Sequence, residues 1–129
     1  MSLHRRTFAQ LLAGLGFSAV VPAFAQGKTV DVSMQQSPKM RFVPDTLTIK
    51  AGDTVKWTNP YNITHTVTFD PAQAQTASDV SLPAGVAPFG SGDIKEEGTF
   101  SHTFTAKGTY KYVCKYHEAM GMVGTVVVS

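Results

Sequence analysis

A chain of 129 residues with 43% apolar residues has the size and composition of one globular domain, and it is too short for two ordinary domains. Its 11 basic and 9 acidic residues give a net charge of +2. Two of the basic residues, Arg5 and Arg6, fall in a segment that we expect to be removed, which leaves nine of each sign. Because no basic run remains, the composition disfavours nucleic acid as a partner.

The N-terminal stretch "MSLHRRTFAQLLAGLGFSAVVPAFAQ" has the layout of an export signal. Arg5 and Arg6 precede a weakly hydrophobic run, and an A-x-A sequence stands ahead of Gln26. The run is too short and interrupted to anchor the chain in a membrane, and R-R-x-F resembles a twin-arginine signal. We therefore predict a signal peptide over 1–25 and a mature domain over 26–129 in the periplasm or otherwise exported. The alternative is an amphipathic first helix packed on the domain.

After the signal, short runs rich in β-branched and aromatic residues alternate with turn residues, a pattern typical of β-strands. Residues 70–92 lose this periodicity among prolines and glycines, and there we expect mostly loop with a single helical turn. The pattern predicts an antiparallel Greek-key β-sandwich of about seven to eight strands with little helix. The predicted strands are 29–34, 47–50, 54–58, 63–69, 98–105, 109–113 and 123–128.

The only cysteine of the chain lies in a group of residues suited to binding a metal. Cys114 ends a predicted strand, His117 follows after two residues and Met122 after four more. One short loop can thus direct a thiolate, an imidazole and a thioether at one centre, and His65 in an upstream strand can supply a fourth ligand. Two histidines, a cysteine and a weak axial methionine are the ligand set of a blue-copper site.

Taken singly, each of these residues has a plain structural interpretation. Cys114 can be a small buried apolar residue, His65 a hydrogen-bonded core histidine, and Met122 a core side chain. Their joint occurrence at this spacing favours the metal site. His102 has no ligand partner near it in the sequence, so we expect it at the surface, whereas Met34 is expected in the core.

The stretches "MRFVPDTLTIKAGDTVKWTN", "THTVTFD" and "GTYKYVCKYHEAMGMVGTVVV" resemble the small cupredoxins of the plastocyanin, pseudoazurin and amicyanin group, over most of residues 28–129. The resemblance implies a cupredoxin fold and one copper ion bound by His65, Cys114, His117 and Met122. Met120 lies two residues too early for the axial position. Where many relatives have Asn after the first histidine, this chain has Thr66, which leaves the contacts between the two ligand segments open.

The expected function is that of an exported blue-copper electron carrier, not an enzyme, whose copper cycles between Cu(I) and Cu(II). We expect a monomer whose partners are redox proteins, such as a c-type cytochrome or a periplasmic reductase or dehydrogenase, docking near His117. The alternative is a periplasmic copper-binding or delivery protein without a role in electron transfer. A structural zinc site needs more Cys or His, and a multicopper enzyme needs further His clusters and a second domain.

The stretch "KMRFVP" carries one further expectation. Met40 and Phe42 alternate along the chain, so both can face the same side. One interpretation places a polarizable or aromatic group from this pair against the imidazole of His117. The other makes both ordinary core residues.

Overall fold

The computed structural model describes residues 27–129, so the predicted signal peptide and its cleavage site lie outside the described residues. Within this range the chain forms nine strands, three short 3₁₀ turns (Pro71–Gln73, Ala77–Asp79 and Glu118–Met120) and no α-helix. No helix here has the length and hydropathy needed to cross a membrane. The strands are β1 (Thr29–Gln35), β2 (Arg41–Val43), β3 (Thr46–Ile49), β4 (Thr54–Thr58), β5 (Thr68–Phe69), β6 (Phe89–Gly90), β7 (Thr99–Thr103), β8 (Gly108–Val113) and β9 (Val123–Val128).

The strands form two sheets packed as a sandwich, in the orders β2-β1-β4-β7 and β3-β9-β8-β5-β6. The all-β sandwich is therefore confirmed, with nine strands instead of seven to eight. Most strand pairs are antiparallel, as predicted, but the sheets are mixed, because β1 runs parallel to β4 and β3 runs parallel to β9. These pairs join strands that are distant in sequence, and the alternation of side chains along a strand says nothing about which distant strand lies beside it.

The sandwich interior collects the residues on the inward face of each strand. Buried and exposed positions alternate along β3, β4 and β9, as expected for strands with one face on a core. Trp57 and Tyr112 lie at its centre, where the indole Nε1 donates a hydrogen bond of 3.0 Å to the phenol oxygen. Gly124 lies against the Tyr112 ring, which leaves no room there for a Cβ. Met34 is fully buried, as predicted.

A strand was predicted over 63–69, but the structure forms only β5 and an isolated bridge between His65 and Ile94 in this range. Residues 65–69 are all buried, on both faces. Two backbone donors of this segment bond to side chains and not to a neighbouring strand: Thr66 N to Cys114 Sγ, and Val67 N to Ser91 Oγ. These bonds interrupt the ladder just beside His65.

His102 does not lie freely at the surface, so that prediction is corrected. Its register partner across the first sheet is Val55, which is fully buried, so both side chains point inward. The half-buried imidazole stacks on Phe89, with ring centroids 3.9 Å apart and planes 17° apart. Because β7 and β6 are the edge strands of the two sheets, this ring pair closes one open side of the sandwich.

For Met40 and Phe42 the structure favours the second interpretation, that of ordinary core residues. Phe42 is buried in the core, with its ring centroid 4.7 Å from that of Tyr112. Met40 is half-buried and packs at the margin of the same core. Both residues thus contribute to the interior of the sandwich.

Candidate metal centre

Three of the four predicted site residues bring their donor atoms together at one end of the sandwich. The candidate ligand atoms of His65, Cys114 and His117 all lie within 4.8 Å of one another. Cys114 Sγ is 3.7 Å from Nδ1 of His65 and 3.4 Å from Nδ1 of His117. The two imidazoles meet nearly edge to face, with centroids 4.8 Å apart. One nitrogen of each ring therefore faces the thiol.

His65 reaches this position through backbone contacts that are distant in sequence. Its N–H donates to the carbonyl of Ile94 at 3.1 Å, and the N–H of Ile94 donates back at 2.7 Å. The next residue, Thr66, donates its N–H to Cys114 Sγ at 3.4 Å. This bond places the His65 segment directly against the sulfur. The same N–H would stabilise part of the negative charge on a Cys114 thiolate.

The segment 114–122, which we call the ligand loop, is held by its own backbone hydrogen bonds. His117 N–H donates to the Cys114 carbonyl, and the His117 carbonyl accepts from both Met120 and Met122. Cys114 N–H donates to the Met122 carbonyl at 3.1 Å, which closes the loop. Gly121 has a φ of 88°, a conformation that costs glycine little.

The two methionines of the loop have opposite environments. Met122 is fully buried beside the backbone of Cys114, whereas Met120 is 59% exposed. The predicted axial residue is thus the one on the inner side of the loop. Met120 lies on the outer side, next to the exposed face of the site.

Thr66 occupies the position after the first ligand histidine, where many relatives have asparagine, and it joins the two ligand segments in this chain. Its hydroxyl oxygen accepts a hydrogen bond of 2.9 Å from the N–H of Lys115, the residue after Cys114. The same hydroxyl shares a 2.9 Å hydrogen bond with Thr68. Thr66 therefore contacts the ligand loop through both its backbone and its side chain, and the two ligand segments are joined without an asparagine.

The electrostatic environment keeps both histidines neutral at neutral pH. Burial, with a smaller contribution from neighbouring His117, lowers the pKa of His65 to about 4. Burial also lowers the pKa of His117 below its usual range. A neutral imidazole is the form that binds a metal. Two such rings around a fully buried Cys114 make a donor set of nitrogen and soft sulfur, which suits copper.

One residue of this region, Glu118, was not predicted from the sequence. Glu118 directly follows His117, yet its side chain is buried and bonds to backbone N–H groups at positions 75 and 76. An acidic residue in a short loop is normally expected to be exposed. The stretch 70–92 has no periodicity from which its position beside the ligand loop could be predicted. The hydrogen-bond partners of Glu118 could therefore not be predicted from the sequence.

A β-sandwich that gathers two neutral imidazoles and a buried thiol at one end is the architecture of a small copper protein. Residues 28–129 match the family model of copper-binding proteins of the plastocyanin/azurin family. The chain belongs to this family. Copper is accordingly its cofactor, and the protein is a blue-copper electron carrier and not an enzyme.

Individual relatives agree with this assignment. Plastocyanin of Nostoc punctiforme is 36% identical over 135 residues, which cover 98% of this chain and 94% of the relative. Among solved structures, the Cu(I) form of an amicyanin mutant is 33% identical with a TM-score of 0.60, over 78% of this chain and 82% of that one. A Sinorhizobium pseudoazurin is 25% identical with a TM-score of 0.61, over 79% and 74%.

Proposed function

We propose that this protein is an exported carrier that shuttles single electrons between redox proteins, through one copper ion bound by His65, Cys114, His117 and Met122. The observation that carries the proposal is the convergence of both Nδ1 atoms on the buried Cys114 Sγ, at 3.7 and 3.4 Å. Bound copper supplies a centre that gains or loses one electron between Cu(II) and Cu(I).

The protein contributes fixed ligand positions. His65 is held by its paired bonds to Ile94, and Cys114 and His117 by the bonds that close the ligand loop. Because the backbone fixes the side chains in this way, they need to move little when the charge at the centre changes. Small rearrangement favours fast electron transfer. The buried surroundings of Cys114 keep water from the sulfur, which also affects the reduction potential.

We propose that partners dock over His117. The imidazole is half-buried, and Tyr116 and Met120 beside it are 47% and 59% exposed. The Lys115 ammonium lies 5.3 Å from the centroid of the Tyr116 ring, so a positive charge borders this apolar surface. A monomer of zero net charge in its mature form suits short-lived contacts with a c-type cytochrome or a periplasmic reductase or dehydrogenase.

Addition of Cu(II) to the purified apoprotein tests the proposed site. We expect an intense blue absorption, because a copper–thiolate bond gives a strong charge-transfer band. Cys114→Ala should abolish this band while the sandwich stays folded by circular dichroism. A pale product from the parent protein would favour copper storage or delivery, and a blue Cys114→Ala variant would refute the assignment of the thiolate.

The axial ligand has its own test, for which the chain provides a matched control. Met122→Gln should keep copper but lower the reduction potential, because a harder oxygen donor favours Cu(II). Met120→Gln makes the same change on the exposed side of the loop, and it should leave the potential near that of the parent. If only the Met120 variant shifts the potential, the axial ligand has been assigned to the wrong methionine.

Export is part of the proposal and rests on the N-terminal sequence. Replacement of both Arg5 and Arg6 by Lys should retain the protein in the cytoplasm if the twin-arginine route is used. Continued export of that variant would indicate the general secretory route instead. N-terminal sequencing of the exported protein should find Gln26 or a close neighbour as the first residue.

A further inference from the structure

Glu118 is a buried carboxylate in the middle of the ligand loop. The residue is only 6% exposed, although it follows directly after His117. One carboxylate oxygen accepts a hydrogen bond of 2.7 Å from Gln75 N, and the other accepts one of 2.9 Å from Thr76 N. Burial of a carboxylate is unfavourable unless its oxygens are hydrogen-bonded. Here both oxygens are occupied, each by a backbone N–H.

These donors belong to the segment 70–79, which is itself well held. Asp70 caps the turn Pro71–Gln73 by accepting from Ala72 N at 3.0 Å. Gln75 also donates from its side-chain amide to the carbonyl of Lys115 at 3.3 Å. The segment thus contacts the ligand loop at Lys115 and at Glu118, on either side of His117.

This arrangement fixes the part of the loop that carries the half-buried imidazole. Before His117 in the chain, Lys115 is bonded to Thr66; after it, Glu118 is bonded to the segment 70–79. Hydrogen bonds to an ionised carboxylate are stronger than those between neutral groups. The backbone of His117 lies between these two attachments, so its position depends on both.

We propose that Glu118 is a positioning residue for electron transfer: its clamp on Gln75 N and Thr76 N holds His117 in one orientation in both oxidation states. The proposal rests on the proposed function, because it assumes that His117 binds copper. Without the clamp, the ligand loop can shift when the charge at the centre changes, and the larger rearrangement slows electron exchange. Groups that orient metal ligands typically affect affinity or activity by about 10–100-fold when removed.

The test compares three replacements of Glu118 with a control. Glu118→Ala removes both acceptors, Glu118→Asp keeps the charge but shortens the reach, and Glu118→Gln keeps the length but loses the charge and one acceptor. Glu96→Gln makes the same change of charge at an exposed position outside the loop. Each variant is first measured as apoprotein, by hydrogen exchange at the amides of 75 and 76, and then with copper.

We expect amide exchange at 75 and 76 to accelerate by about tenfold or more in Glu118→Ala, because both charge-assisted bonds are lost. Electron self-exchange of the copper form should slow by about tenfold, with the Asp and Gln variants between Ala and the parent. Glu96→Gln should match the parent in both measurements. Amide exchange at 75 and 76 in Glu118→Ala that matches the parent would overturn the proposal, since the carboxylate would then not hold that segment.

Two further outcomes also decide the proposal. Faster amide exchange in Glu118→Ala with unchanged self-exchange and reduction potential would make Glu118 a structural attachment of the segment 70–79 only, which overturns the positioning role. A parent protein that takes up no copper would overturn the proposed function and the electron-transfer role with it. The apoprotein exchange rates remain a separate measure of the clamp, so the two failures are distinguishable.

Discussion

Replacement of Thr66 by Val tests whether a side-chain hydroxyl joins the two ligand segments. Thr66 is 1% exposed, and its hydroxyl accepts the Lys115 N–H at 2.9 Å. Valine has nearly the same shape but no oxygen, so the change removes the contact without opening a cavity. The Lys115 N–H and the hydroxyl of Thr68 each lose a partner.

The expected cost follows from these lost contacts. A buried polar group left without its partner costs about 1–3 kcal/mol. Lys115 is half-buried, so its N–H can regain part of this from water, and the cost should be about 1–2 kcal/mol. For a domain of this size that corresponds to a fall in Tm of roughly 4–12 °C. Copper affinity should fall by about tenfold, because the group that orients the ligand loop is lost.

Thermal unfolding of the apoprotein and titration with copper measure the two effects. Thr68→Val is the matched control, because it removes the other partner of the Thr66 hydroxyl and leaves the bond to Lys115. Thr66→Ser keeps the hydroxyl and should restore most of the copper affinity. If Thr66→Val matches Thr68→Val in both Tm and copper affinity, the Thr66 hydroxyl does not hold the ligand loop.

Three further predictions concern the core, and urea unfolding of the apoprotein measures each. Tyr112→Phe leaves the buried Trp57 Nε1 without its acceptor and should cost about 1–3 kcal/mol; an unchanged stability would contradict this. Gly124→Ala drives a methyl group into the Tyr112 ring and should cost about 1–3 kcal/mol, whereas a neutral result would mean that the ring can move. Burial holds the pKa of His102 below the usual 6.5, so the unfolded chain binds the proton more readily and the parent loses stability as pH falls below about 6.5. His102→Phe keeps a ring against Phe89 but has no proton to bind, so it does not lose stability in this way. As the pH falls from about 7 to 5, the variant should therefore become more stable relative to the parent. A difference in stability that does not change with pH would contradict the lowered pKa of His102.

The sequence alone predicted the features that depend on local spacing. The strands 54–58 and 123–128 have the predicted bounds, since inward and outward residues alternate along them. The donor atoms of Cys114 and His117 lie together because only two residues separate them on one loop. His65 was found through its strand context and the resemblance to the cupredoxins, and its place beside Cys114 agrees with that.

Only the tertiary structure decided which distant segments meet. The parallel pairing of β1 with β4, the inward position of His102 and the bond from Thr66 to Lys115 each join residues far apart in the chain. The contact of Glu118 with Thr76 spans 42 residues, and neither stretch has a pattern that points to the other. The physical reason is that alternation and loop spacing are local properties, whereas the partner of a buried polar group is whichever donor or acceptor the packed sheets bring within hydrogen-bond distance.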